Sequence, residues 1–206
     1  MFPEDEVPTT YAQHKNRILK VMFLCAVAKP QMRPDGPRMN GLIACIPFTE
    51  VVPAQRNSVN RPKGTQEEKP VDVNSGVYRQ ALIQVMRRIK ERLHWKKGEQ
   101  IIVRHDGATP HNGGGNEAFF AAHGQKYEWN IVVDTQCAQS PDLSINYIGV
   151  FRSLQSRSEE YRVESSTVSD LVARVQKTFD AFPWQTLDHC WAVLHEHYRL
   201  VPPKEI

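Results

Sequence analysis

An aspartate at the end of a short apolar run is the residue best placed to do chemistry in this sequence. The run 101–103 leads through Arg104 and His105 to Asp106, and a turn-forming Gly-Ala-Thr-Pro-His segment follows. In α/β sheets, ligands and metal ions gather where strands end, so this carboxylate is expected on rigid backbone at the rim of a sheet. Asp106 is therefore a candidate ligand for magnesium or manganese, which prefer oxygen donors.

A metal centre also needs partners for Asp106, and the nearby residues do not supply them clearly. Two-metal phosphoryl transfer requires carboxylates from different elements that share the ions. His105 and His111 lie on either side of Asp106, but the loop between them contains Pro110 and offers no third convergent ligand for zinc. A zinc site is also not expected at the four cysteines, which are scattered without a CxxC pair, namely Cys25, Cys45, Cys137 and Cys190.

Composition limits the classes of protein that this chain can represent. It has 206 residues, 40% of them hydrophobic, and a net charge of +3, which suits one domain of ordinary size or a domain with an appendage. The mildly basic balance is compatible with nucleic acid and equally with a solvated surface. The sequence contains neither an apolar stretch of about 20 residues nor a signal peptide, so we expect no membrane association.

The elements that must position Asp106 follow from the hydrophobic periodicity. Residues 1–19 are predicted to be loop, and residues 53–76 a long exposed loop in which Arg56, Arg61 and Lys63 can contact phosphates or simply be solvated. Apolar runs predict strands at 20–28, 41–52, 100–104 and 129–134. Helical spacing predicts helices at 77–93, 116–123 (closed by Gly124), 145–155, 168–182 and 187–200. This order predicts an α/β layered domain.

Four blocks of this sequence resemble the catalytic domain of mariner-superfamily transposases, most nearly the branch found in plants and water moulds. They are Lys-Val-Met-Phe-Leu-Cys-Ala-Val-Ala-Lys-Pro at 20–30, Arg-Asn-Ser-Val-Asn-Arg-Pro-Lys-Gly-Thr at 56–65, His-Asp-Gly-Ala-Thr-Pro-His at 105–111, and the segment 139–155 with its Ser-Pro-Asp-Leu. Each block alone is weak, but all four occur in the family's order. The resemblance extends from about Val7 to Val201.

The resemblance implies a ribonuclease-H-like mixed sheet flanked by helices and three acids that bind two Mg²⁺ or Mn²⁺ ions. In the family these acids cut DNA at transposon ends and join the freed 3′ hydroxyl to a target. Asp106 matches the second acid, with His105 and Gly107 replacing the usual Gln and Asn, and His111 retained. The third acid lies five residues after the loop aspartate, here Asp142, and that position holds Tyr147, a phenol that stays protonated at neutral pH.

The first acid normally lies on the first, central strand of the sheet, in a block like Asp-Glu-Lys-Trp-Phe that does not occur here. We therefore expect a single, partial catalytic domain over 1–206, with C-terminal helices over 165–200, that lacks this strand and the upstream helix-turn-helix domain. Its neighbouring strands would expose unpaired edges, which predicts poor solubility. The resemblance implies a nuclear protein whose DNA contacts include Arg56, Arg61, Lys63, Arg104 and His111.

With one acid of three retained, the resemblance implies a transposase-derived domain related to DNA cleavage and strand transfer but catalytically degenerate. The alternative is a non-enzymatic module that binds nucleic acid or pairs with an intact transposase. Transposon-end DNA, a second copy of the chain or an intact transposase are the partners that these two functions would require.

Overall fold

A computed structural model of the chain describes residues 19–32, 39–59, 61–93, 96, 98–126, 129–137, 139–160 and 167–200. Its strands pair as three two-stranded sheets: β1 (Phe23–Val27) with β2 (Leu42–Pro47) antiparallel, β3 (Thr49–Pro53) with β4 (Gln66–Pro70) antiparallel, and β5 (Ile101–His105) with β6 (Ile131–Thr135) parallel.

The helices are α1 (Ser75–Arg92), α2 (Thr109–Asn112), α3 (Asn116–Gln125), α4 (Phe151–Glu160), α5 (Val168–Asp180) and α6 (Trp184–Leu200), with a 3-10 turn at Pro141–Leu143 and a π-helical turn at Asn146–Val150. Helix α1 begins at the side chain of Asn74, which accepts a hydrogen bond from the Val77 amide at 3.0 Å. None of the described helices combines the length and the apolarity that crossing a bilayer requires.

Two apolar clusters lie on opposite faces of the β1–β2 pair, which makes the domain layered. Side chains alternate along β1, so Leu24 and Ala26 pack against the cluster that contains α1. Phe23, Cys25 and Val27 pack against the cluster formed by α4, α5 and α6. Strands enclosed between helices on both faces confirm the predicted α/β architecture, and they explain why β1 is a continuous apolar run.

The prediction of one long loop over residues 53–76 was wrong, because strand β4 lies inside it. This strand reads Gln-Glu-Glu-Lys-Pro and has no apolar face, so hydrophobic periodicity cannot detect it. Its side chains are held by polar contacts instead. The Thr49 hydroxyl donates to Glu68 at 2.6 Å, and the Arg61 guanidinium lies 2.5 Å from Glu67.

The single strand predicted over 41–52 is two strands, and these belong to different sheets. Strand β2 ends at Pro47, and Phe48, which is buried, separates it from β3. The Phe48 amide still donates to Met22 at 2.9 Å, and the Phe48 carbonyl accepts from Val71 at 3.0 Å. Phe48 therefore joins the two hairpins at a turn in chain direction, which fits the proline that precedes it.

The predicted mixed sheet is not continuous among the described residues, because no hydrogen bonds join β1 to β5. A cavity of about 550 Å³ lies between these two strands. The predicted helix cap at Gly124 was also wrong, since α3 continues through this residue to Gln125.

Candidate active site at the end of strand β5

Asp106 follows the last residue of β5, as the sequence predicted, and its carboxylate is already engaged. The carboxylate oxygen Oδ1 accepts a hydrogen bond from the Ala108 amide at 3.1 Å and lies 2.5 Å from Nδ1 of His111. The His111 ring also stacks on Tyr78, with ring centroids 3.9 Å apart. Asp106 and His111 therefore form a local pair that fixes the turn after β5.

His105 belongs to a chain of hydrogen bonds that connects α1 to both strands of the parallel sheet. Its Nδ1 lies 2.9 Å from the Tyr78 hydroxyl and its Nε2 lies 3.1 Å from the Thr135 hydroxyl. The Thr135 hydroxyl donates its proton to Asn112 at 3.1 Å, so the Thr135 oxygen accepts from Nε2 of His105. Nδ1 of His105 then carries no proton and accepts from the Tyr78 hydroxyl. Burial raises the pKa of the Tyr78 phenol, which keeps this donor protonated. The network needs a neutral imidazole.

The stability of the domain is expected to fall as the pH is lowered below about 6.5, the ordinary histidine value. Burial lowers the pKa of His105, and the neighbouring His111 lowers it further, against smaller opposite effects of Asp106 and Asp134. At pH values between the pKa of His105 in the folded protein and its pKa in the unfolded chain, the unfolded chain binds more protons. The contribution of His105 to stability is therefore fully present above its unfolded pKa and is lost as the pH falls through its folded pKa. Thermal melting at pH 5.0 to 7.5 measures this.

His105→Gln is expected to flatten that pH dependence, because glutamine cannot titrate. The same substitution at the exposed His189 serves as the matched control and should leave the slope unchanged. An equal flattening in both variants would contradict the assignment to His105.

Asn116 holds the loop after Asp106, and no pattern in the sequence indicates this role. The side chain is 1% exposed, and its amide nitrogen donates to the carbonyls of Pro110 and His111, both at 2.8 Å. Its amide oxygen accepts from Nε of Arg79 at 2.5 Å. In a sequence, a polar residue at the start of a helix indicates only an ordinary helix terminus. The structure shows that Asn116 connects α1, α3 and the loop after Asp106 by hydrogen bonds.

Tyr147, at the predicted position of the third acid, lines the same cavity as Asp106. It lies in the π-helical turn, is 56% exposed, and meets Phe151 edge-on at 5.4 Å between ring centroids. Asp142, the loop aspartate, lies in the 3-10 turn and outside the cavity lining. The fold therefore brings the predicted positions of the second and third acids to one cavity, but only Asp106 carries a carboxylate.

These residues do not fit a pair of divalent ions. No group of three or more His, Cys, Asp or Glu side chains suited to a metal exists in the part of the chain that the structure describes. Asp134, at the end of β6, is paired with Arg104 at 2.7 Å. One carboxylate that is already paired does not supply the several oxygen donors that two ions need.

The five residues predicted to contact DNA fall into two groups. Arg61 is paired with Glu67, Arg104 with Asp134 and the Tyr198 hydroxyl, and His111 with Asp106. Arg56 and Lys63 are exposed in the β3–β4 connection. The Lys63 amide is fixed by the Asn57 side chain at 2.6 Å. The structure therefore leaves Arg56 and Lys63 as the predicted cations without a described side-chain ion pair.

No family model and no curated protein matches this chain. Its fold is similar to the crystal structure of the catalytic domain of Mos1 mariner transposase, with a TM-score of 0.50 and 19% sequence identity. The match covers 65% of this chain and 64% of that one, so this chain spans slightly less than two thirds of the transposase domain's length. The similarity confirms the predicted α/β fold of ribonuclease-H-like type.

Proposed function

We propose that this chain is a transposase-derived domain that binds DNA and does not cleave it on its own. The proposal rests on the residues at the end of β5. Asp106 is paired with His111 there, and Tyr147 occupies the predicted position of the third acid on the same cavity. The fold similarity supports the ancestry, and the lost carboxylate supports the loss of cleavage.

The family's Mg²⁺ or Mn²⁺ chemistry is not proposed for this chain. Binding two ions requires several oxygen donors from different elements, both to neutralise the charge and to fix the geometry. The described residues offer Asp106 alone at the cavity, and its Oδ1 is shared with an amide and an imidazole. A tyrosine phenol at neutral pH does not replace the missing carboxylate.

DNA binding is proposed for the connection between β3 and β4. Phosphate contacts supply most of the sequence-independent affinity of a protein for DNA, and they come from exposed cations. Arg56 and Lys63 are exposed there, and turn contacts hold the backbone, with the Gly64 amide donating to Ala54 at 2.9 Å. The connection therefore presents two cations on a fixed hairpin end, with affinity expected to depend strongly on salt.

The double variant Arg56→Ala/Lys63→Ala is expected to bind double-stranded DNA more weakly and with a smaller salt dependence. Each cation that contacts a phosphate contributes roughly 1 to the steepness with which the logarithm of the binding constant falls against the logarithm of the salt concentration. The magnitude of this slope should therefore decrease by about 2 in the double variant. Fluorescence anisotropy with a labelled 30-base-pair duplex at several salt concentrations measures it. Lys96→Ala/Arg152→Ala removes the same charge from exposed positions elsewhere and should keep the slope.

Cleavage is tested in the same samples with Mg²⁺ or Mn²⁺ and a supercoiled plasmid. We expect no nicking above that of Asp106→Ala. Metal-dependent nicking that is lost in Asp106→Ala would overturn the proposal that the site is degenerate. Equal salt slopes for the two double variants would overturn the DNA-binding surface.

A further inference from the structure

Two cysteines that lie 20 residues apart in the sequence meet across the β1–β2 pair. Cys25 of β1 is directly opposite Cys45 of β2, and their sulfur atoms lie 3.6 Å apart. Both side chains pack into the cluster formed by α4, α5 and α6, which places them on the same face of the two strands. Both cysteines are reduced, so this face carries two thiols in contact, here called the thiol pair.

The strand register brings the two cysteines within the reach of a disulfide. The Phe48 amide donates to Met22 at 2.9 Å, and hydrogen-bonded pairs alternate with non-hydrogen-bonded pairs along the ladder, so Cys25 falls on a non-hydrogen-bonded pair. The Cys25 carbonyl accordingly points away from β2, where it accepts from the side-chain amide of Asn146 at 3.2 Å. Opposite residues in such a pair have Cα atoms about 4.5 Å apart, within the range of about 4.4–6.8 Å that a disulfide spans.

The two thiols differ in accessibility and in acidity. Cys25 is partly exposed, whereas Cys45 is buried. The hydrogen bond that Cys45 donates lowers the pKa of Cys25, against a smaller opposite effect of burial. The same hydrogen bond, together with burial, raises the pKa of Cys45. Because the thiolate is the form that attacks an oxidant, Cys25 is placed to react first and Cys45 to supply the second sulfur.

A structural metal ion does not suit the thiol pair. Zinc sites of this kind use four ligands, and no group of three or more His, Cys, Asp or Glu side chains suited to a metal occurs within the described ranges. The other two cysteines lie on different elements, with Cys190 buried in α6 and Cys137 exposed after β6. Two sulfurs in contact on paired strands instead suit the chemistry of a dithiol and a disulfide, which needs only two sulfurs.

We propose that the thiol pair is an oxidation site, at which hydrogen peroxide converts Cys25 and Cys45 into a disulfide between β1 and β2. The Cys25 thiolate attacks one peroxide oxygen, the O–O bond breaks, and the hydroxide that leaves takes up the Cys25 proton as water. The Cys45 sulfur then attacks the sulfur of the Cys25 sulfenic acid. The S–S bond forms as the S–O bond breaks, and the hydroxyl leaves as water with the Cys45 proton. The two sulfurs lose two electrons, which the peroxide gains.

The test treats the full, reduced 206-residue chain with hydrogen peroxide. The remaining thiols are blocked with N-ethylmaleimide, and the denatured chain is digested with trypsin without a reducing agent. Trypsin cuts after Lys20, Arg38 and Arg56 and not after Lys29 or Arg33, which precede prolines, so the two cysteines fall in separate peptides. Mass spectrometry should show peptides 21–38 and 39–56 joined, in an amount at least about tenfold above every other cysteine linkage, because the fold holds these two sulfurs in contact.

Cys45→Ser and Cys137→Ser separate the thiol pair from general thiol reactivity. Without the Cys45 sulfur, oxidation of Cys25 should stop at the sulfenic acid, which dimedone traps. Cys137→Ser removes an exposed cysteine and should leave the yield of the joined peptides unchanged. Circular dichroism checks that both variants remain folded. If the purified chain is insoluble, peroxide treatment of the expressing cells, followed by acid quenching, gives the same peptides.

The disulfide is expected to stabilise the domain until a thiol reduces it. It closes a loop between residues 20 positions apart and so restricts the unfolded chain, which should raise the melting temperature of the oxidised protein by roughly 6–12 °C. Dithiothreitol should reverse the rise by thiol–disulfide exchange. Thermal melting of oxidised, reduced and re-reduced samples measures both effects.

Oxidation of Cys137 or Cys190 while Cys25 and Cys45 both carry N-ethylmaleimide would overturn the proposal. So would joined peptides in which Cys25 is linked mainly to a cysteine other than Cys45. A disulfide that forms but lowers the melting temperature would overturn its stabilising effect. The assay contains neither DNA nor metal, so its outcome is independent of the proposed DNA binding.

Discussion

Gly124→Ala is expected to lower the free energy of unfolding by at least about 3 kcal/mol, the upper end for an overpacked site. A Cβ added at Gly124 would lie 1.8 Å from the Ile131 carbonyl oxygen and 2.9 Å from its carbon. Both are backbone atoms of β6, so neither can turn away, and α3 must shift as a body. Thermal melting should show a fall in Tm of roughly 6–12 °C for a chain of this size.

The sign of this effect separates packing from helix propensity. Alanine inside a helix is ordinarily more stable than glycine by about 1 kcal/mol, so propensity alone predicts that Gly124→Ala stabilises the protein. Ala122→Gly, at an exposed position of the same helix, is the matched control and should cost about 1 kcal/mol. A Gly124→Ala protein as stable as the parent would refute the close approach of α3 to β6.

Gly124 also shows what a sequence can and cannot reveal about this fold. A glycine near the end of a predicted helix indicates a cap, because glycine accepts the left-handed conformation that ends many helices. Here the glycine is needed for close approach to Ile131, a contact between residues of different elements. Helix α1 and strands β1, β5 and β6 were predictable because each has its own apolar periodicity. Strand β4 was not, since its stabilising contacts are polar and come from other segments.

The site was predictable in its position and not in its contacts. The pattern of an apolar run ending on an acid placed Asp106 at the end of β5, and the block containing Asp142 led to Tyr147 on the same cavity. The pairing of Asp106 with His111, and the network through His105 to Tyr78, depend on how α1 packs across β5. No spacing along the chain encodes that packing, so the partners of Asp106 emerged only from the structure.

Asn116→Ala is expected to lower the free energy of unfolding by about 2–4 kcal/mol, because it removes the three hydrogen bonds of a buried side chain. The loop carbonyls of Pro110 and His111 lose this donor, and Nε of Arg79 loses the Asn116 oxygen as its acceptor. Thermal melting measures the loss. Gln125→Ala makes the same amide-to-methyl change at an exposed position of α3 and should stay within about 0.5 kcal/mol of the parent.

Asn116→Asp decides which of these contacts matters most. A carboxylate keeps the acceptor for Arg79 and adds charge attraction, but it replaces the amide donor with oxygens that face two carbonyl groups. If anchoring of the loop dominates, Asn116→Asp should be destabilised about as much as Asn116→Ala, and hydrogen exchange of residues 107–113 should accelerate in both. Stability equal to the parent would instead assign the role of Asn116 to its contact with Arg79 and not to the loop after Asp106.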